Sequence, residues 1–178
     1  EQDWRASALA QAPLFQAGLL LQASGELSTA ERFWTHLAEQ LITEDAALLG
    51  QAAIDVGQPH LAVMIGKRVA QRGITIAGPY YALHDAIKLD LNMASEMVLA
   101  IARRESEFDP VVQSHVGARG LMQLMPATAK DVARDLEISA LHTTDRLTAD
   151  PEYNALLGSE YLSQMAGRFS GNVVMVSA

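Results

Sequence analysis

The sequence predicts a mainly α-helical protein, with an N-terminal pair of αα-hairpins followed by a second, different helical module. Ala and Leu dominate the composition, Gln, Glu and Met add further helix formers, and period-two runs of Val, Ile and Thr are scarce. Apolar residues recur at three- and four-residue intervals, the spacing of one helix face. Turn-forming clusters punctuate these stretches at Ser24-Gly25-Glu26, at Gly57-Gln58-Pro59 and between Gly73 and Pro79.

The first half repeats itself. An apolar helix from Leu20 turns at Ser24-Gly25-Glu26 into a second helix through Phe33, Trp34, Leu37 and Leu41. The segment from Leu48 does the same, turning at Gly57-Gln58-Pro59 into a helix through Leu61, Ile65 and Val69. Gly25 and Gly57 stand 32 residues apart, as do Ala30 and Ala62, the spacing of helix-turn-helix units that stack into solenoids. Such arrays take about three units to bury a continuous core, so two hairpins are expected to lean on further helices. The break at Gly73 to Pro79 marks a boundary, giving a helical-repeat segment over 1–77 and a second module over 78–178.

Bulk properties narrow the function. The 178 residues are 49% hydrophobic and 19% charged, an ordinary globular balance able to bury a core. A net charge of −8, with 13 scattered basic residues, argues against a nucleic-acid partner, which calls for clustered Lys and Arg. No apolar run approaches the ~20 residues of a membrane span. The chain opens on Glu1-Gln2-Asp3, not on a basic and then apolar leader, so either a cytoplasmic protein or a mature or excised piece is expected. Without cysteine there are neither disulfides nor thiolate sites. His36, His60, His84, His115 and His142 are too dispersed to suggest a metal site.

In the second module a helix is expected from about Met93 to Arg104, with Val98, Ile101 and Ala102 on its core face. The next position on that stripe is Glu105, where apolar surroundings would favour a neutral carboxyl able to act as an acid. Periodicity alone favours an exposed Glu105 in a fraying last turn before Asp109-Pro110, since charged residues are seldom buried, and both readings stand open on these residues. Glu107 lies about 200° round the helix and cannot share the site. Downstream, Gly117 and Gly120 permit turns or close approach, and Pro126 suits the first position of a helix through Val132, Ala133 and Leu136. Asp150-Pro151 is a natural helix start, and Gly158 inside that helix implies close packing.

Glu105-Ser106, Phe108-Asp109-Pro110, Ser114, and the run Gly117-Ala118-Arg119-Gly120-Leu121-Met122-Gln123-Leu124-Met125-Pro126-Ala127-Thr128-Ala129 together form a long, nearly unbroken pattern. It resembles the soluble lytic transglycosylases, relatives of goose-type lysozyme. The resemblance covers about Tyr80 to the end well and the first half loosely. It implies a superhelical repeat segment leading into a lysozyme-like, mostly helical catalytic domain. It further implies Glu105 as catalytic acid and base, Ser114 as the serine that hydrogen-bonds near it, and Gln123 and Met125 as residues lining the glycan cleft. Asp150 to Asn154, with Gly158, Tyr161 and Leu162, matches the family's second helical motif and is read as structural. Arg104 replaces the usual glutamine, and Val116 the usual alanine.

The implied reaction cleaves the bond between N-acetylmuramic acid and N-acetylglucosamine in bacterial peptidoglycan. It leaves 1,6-anhydromuramic ends and uses neither cofactor nor metal. Its location would be the periplasm. Two alternatives are a goose-lysozyme-like hydrolase and a non-catalytic helical-repeat scaffold or peptidoglycan-binding module. In the family a helix with an A-Y-N-A-G-type motif follows the segment resembling Asn172 to Ala178 and gives the site a tyrosine. On this reading the chain is truncated there, its site incomplete, and Val173-Val174-Met175-Val176 the first turns of that helix.

Overall fold

A computed structural model describes residues 3–172. The helix expected from Val173 onward lies outside the described residues. Within them the chain is helical, with two isolated β-bridges, Gln113 to Arg119 and Arg119 to Leu124, and no β-strand. It divides into two compact units, the first extending to Ala82 and the second beginning at Leu83.

The first unit holds the expected hairpins. Helices α1 (Pro13–Ala23) and α2 (Leu27–Ala38) form one, and α3 (Thr43–Asp55) and α4 (Pro59–Ala70) form the other. Gly25 and Gly57 make the turns with φ of 83° and 74°, a left-handed conformation that costs glycine nothing sterically. Pro59 supplies the first residue of α4, where a missing amide proton is harmless. Leu61, Ile65 and Val69 are buried on the same face, as the spacing requires.

Aromatic packing anchors the first hairpin. Trp34 is fully buried, stacks on Phe15 at 5.2 Å and donates its indole N–H to the Phe15 carbonyl at 3.1 Å. Gly18 makes this possible, since any Cβ there would overlap the Trp34 ring. The short α5 (Ala77–Tyr80) extends the unit beyond the break, because Pro79 seats against Gly50 and the Tyr80 backbone against Gly66.

The second unit is built around α9 (Pro151–Arg168), which packs with α6 (Ser95–Ser106), α7 (Pro126–Asp135) and the single turn α8 (Arg146–Ala149). Its core joins Leu124, Ala129, Val132, Ala133, Leu147, Tyr153 and Leu157, with Leu136, Ile138 and Tyr161 against it. Asp150 caps α9 by accepting the Tyr153 N–H at 3.0 Å, a contact type worth about 1 kcal/mol. Arg146 ties that cap to the preceding turn through Asp150 at 2.9 Å, and its guanidinium lies 4.0 Å from the Tyr153 ring centroid.

Candidate active site

The long connection between α6 and α7, residues 107–125, is held by its own backbone. The Ser114 N–H donates to the Ala118 carbonyl at 2.9 Å, and the Gly120 N–H to Val112 at 2.9 Å. Arg119 and Leu124 exchange N–H to carbonyl bonds at 3.0 and 3.1 Å. Gly117 (φ 94°) and Gly120 (φ 74°) make the turns. Gly120 is required twice over, because a Cβ there would also overlap the Leu147 carbonyl oxygen.

One fully buried side chain fastens this connection to α9. The Asn154 side-chain oxygen accepts the Met122 N–H at 2.8 Å. Its amide nitrogen donates to the Arg119 and Leu147 carbonyls, both at 2.9 Å. A lone asparagine thus meets three backbone groups that would otherwise be buried without partners.

The result is a cavity of about 240 Å³ with three walls. Helix α6 contributes Ile101 and Glu105, the connection and the start of α7 contribute Met122 to Met125 and Thr128, and α9 contributes Gly158, Tyr161 and Leu162. Glu105 is the one carboxylate among these lining residues. Gly158 lets α9 close on Met122, whose sulfur a Cβ would overlap. Gln123 is held with φ 49°, and both its amide protons go to backbone carbonyls, of Gly120 at 2.9 Å and Val112 at 3.1 Å. Its side-chain oxygen is left as the acceptor available to a ligand hydroxyl.

Glu105, Gln123 and Met125 therefore come together, and Ser114 stands apart from them. Its hydroxyl accepts the Ala118 N–H at 3.0 Å, and it is not among the lining residues. Of the two readings of Glu105, the structure gives the exposed one. Val98 and Ala102 are buried as expected, but α6 ends at Ser106, so its last turn carries Glu105 out to the mouth. Tyr161 and Leu162, taken as structural from the sequence, prove to form a wall. The signal was present, since Gly158, Tyr161 and Leu162 follow i, i+3, i+4 spacing on one face.

A larger cavity of about 510 Å³ lies in the first unit, among Asp3, Trp4, Glu44, Gln51 and Asp55. Its best-placed carboxylate, Asp55, is already engaged by Gln51 at 2.8 Å, Trp4 at 2.9 Å and Arg5 at 3.0 Å. The Gln51 and Trp4 hydrogen bonds lead in holding Asp55 below its usual pKa, so it serves structure there. Among the described residues, no group of three or more His, Asp or Glu is placed to hold a metal ion, and no helix is long and apolar enough to cross a membrane.

Glu105 thus stands as a single acid at the mouth of a cavity, on a helix joined to the facing wall by a self-bonded connection. The transglycosylase SLT domain model matches residues 83–178, and the chain belongs to that family. A Haemophilus influenzae protein assigned as a soluble lytic murein transglycosylase is 29% identical over 161 residues, 89% of this chain and 27% of that protein. The soluble lytic murein transglycosylase of Escherichia coli K12 is 41% identical over 80 residues, 45% of this chain and 12% of that protein. The crystal structure of the 70-kDa soluble lytic transglycosylase of Escherichia coli matches with a TM-score of 0.81 at 26% identity, covering 99% of this chain and 29% of that one. The chain thus spans about a quarter of the length of the curated relatives it matches, or less.

Proposed function

We propose that the chain carries the catalytic unit of a lytic transglycosylase, cleaving the β-1,4 bond between N-acetylmuramic acid and N-acetylglucosamine in peptidoglycan. The observation that carries this is the lone carboxylate of Glu105 at the mouth of a cavity also lined by Gln123 and Met125. Two-carboxylate glycosidases set their acids about 5 Å apart or more widely, and the cavity offers no second carboxylate.

One carboxyl can serve twice. A glycan strand laid across the mouth covers Glu105 and excludes water from it, as proton transfer to a leaving oxygen requires. Glu105 gives its proton to the glycosidic oxygen as the bond to C1 of the muramic residue breaks. It then takes the proton of that residue's C6 hydroxyl, whose oxygen attacks C1 and closes a 1,6-anhydro ring. The carboxyl ends protonated, as it began, and no water is consumed. Gln123 and Met125 are proposed to hold the strand, Gln123 through its free carbonyl oxygen. The murein names of the relatives support peptidoglycan as substrate and the bacterial periplasm as the place of action.

The test pairs a variant with a product analysis. Glu105→Gln keeps the shape but cannot transfer the proton, so cleavage of purified sacculi should fall by at least ~10²-fold. Circular dichroism should be unchanged. Mass spectrometry of the products should show anhydromuramic ends, lighter by one water than hydrolysed ends. Wild-type rates in the variant would refute Glu105 as the acid. Mainly reducing ends would mean the goose-lysozyme reaction, with water in place of the C6 hydroxyl. Firm glycan binding with only weak turnover by the full-length wild-type protein would indicate a binding module.

A further inference from the structure

We infer that the Ser106 hydroxyl is the pin that sets Glu105 against the neighbouring wall of the cavity, making Ser106 a positioning residue for cleavage. The inference rests on the reading of Glu105 as proton donor. Ser106 ends α6 and is buried, at 7% exposure, one peptide bond from Glu105. A serine in a helix ordinarily returns its hydroxyl to the carbonyl four residues back, and Ala102 stands at 3.0 Å for that purpose. The shorter contact is not local. Ser106 Oγ lies 2.6 Å from the carbonyl oxygen of Leu121, fifteen residues on.

A hydroxyl has one proton to donate and two lone pairs. The shorter contact takes the proton, so Ser106 donates to Leu121, and the same oxygen accepts the Phe108 N–H at 3.1 Å. That acceptance has a conformational purpose. Glu107 and Phe108 follow with φ of 54° and 68°, two successive left-handed residues, neither of them glycine. Each such residue costs roughly 1–2 kcal/mol and persists only when its surroundings fix it. Here the fixing contacts are the Ser106 oxygen, the buried Phe108 ring and the Asp109 N–H donated to the Ser106 carbonyl at 2.9 Å.

Leu121 is itself fully buried and directly precedes Met122 to Met125, which form the adjoining wall. One side-chain oxygen therefore joins the end of the helix that carries Glu105, the reversal that stops it and the wall that faces the ligand. Without the pin, the helix end and the wall lose their fixed separation. A misplacement of about 1 Å at a reacting group costs on the order of 10²-fold in rate.

The test compares Ser106→Ala with Ser106→Thr, which keeps the hydroxyl. Ser106→Ala should lower kcat on soluble glycan strands by ~10- to 10²-fold with KM nearly unchanged, and Ser106→Thr should restore most of it. Hydrogen exchange should quicken by about tenfold at the Phe108, Gln123 and Leu124 amides in Ser106→Ala, with the interior of α9 unaffected. If Ser106→Ala does not fold, Ser106→Cys, similar in volume and a weaker donor, replaces it in both comparisons. Unchanged exchange at those amides would refute the pin. Faster exchange with unchanged kcat would refute its role in positioning. Wild-type turnover by Glu105→Gln would instead bring down the proton-donor reading and leave the exchange result to judge the pin by itself.

Discussion

Gly120→Ala separates two reasons for one glycine, with Gly117→Ala as its reference. Both positions have left-handed φ, 74° and 94°, so each substitution carries a backbone cost of roughly 1–2 kcal/mol. Their surroundings differ. A Cβ at Gly117 meets nothing within 4 Å, whereas one at Gly120 overlaps the Leu147 carbonyl oxygen and reaches the Asn154 side-chain nitrogen. Those two atoms form a buried hydrogen bond of 2.9 Å, and forcing them apart adds about 1–3 kcal/mol. Gly117→Ala should therefore destabilise by about 1–2 kcal/mol and Gly120→Ala by about 2–5 kcal/mol. Urea unfolding followed by far-UV circular dichroism measures both. Tryptophan fluorescence supplies an internal reference, because Trp4 and Trp34, the only two tryptophans, belong to the first unit. Equal losses in the two variants would show that close approach to Leu147 is not what requires glycine at 120.

Two further outcomes follow from buried polar groups. Asn154→Ala removes three hydrogen bonds and leaves the Met122 amide and Leu147 carbonyl without these partners; urea titration should show a loss of about 2–5 kcal/mol. His84 is half-buried, and burial lowers its pKa below the ordinary 6.5, with Asp85 and Glu152 opposing more weakly. The unfolded chain then binds a proton that the folded chain resists, so the His84 contribution is favourable above about pH 6.5 and is lost as pH falls from there toward the folded value. His84→Asn keeps an acceptor for the Ala86 N–H, bonded at 3.0 Å in the native protein, and abolishes the titration. Its melting temperature should fall less than the wild type's between about pH 7.5 and about pH 5, and equal falls would refute the assignment.

Local rules made much of the fold legible. Helices α2 and α4 obey the 32-residue offset of Gly25 and Gly57, and Pro59, Pro126 and Asp150-Pro151 start helices where their chemistry favours it. Gly158 proved to be a contact point, as a glycine within a helix implied. The long-range hydrogen bonds were not legible. Neither the spacing nor the type of Asn154 reveals that it serves Arg119, Met122 and Leu147, because that role depends on the path of a connection without periodicity. Glu105 failed the stripe argument for a related reason: its side-chain direction followed from the helix, but the wall it would meet did not.

The connection over 107–125 has a thermodynamic consequence. Its reversals are closed by bonds within the chain, from Ser114 with Ala118 to Arg119 with Leu124 and Gln123 with Val112. Ordering a flexible segment costs roughly 1–2 kcal/mol per residue, and here that cost falls on folding instead of on capture of a sugar strand. Association calorimetry should therefore register rigid surfaces meeting, with a heat-capacity change set by the sugar faces covered and no added component from a segment folding on contact.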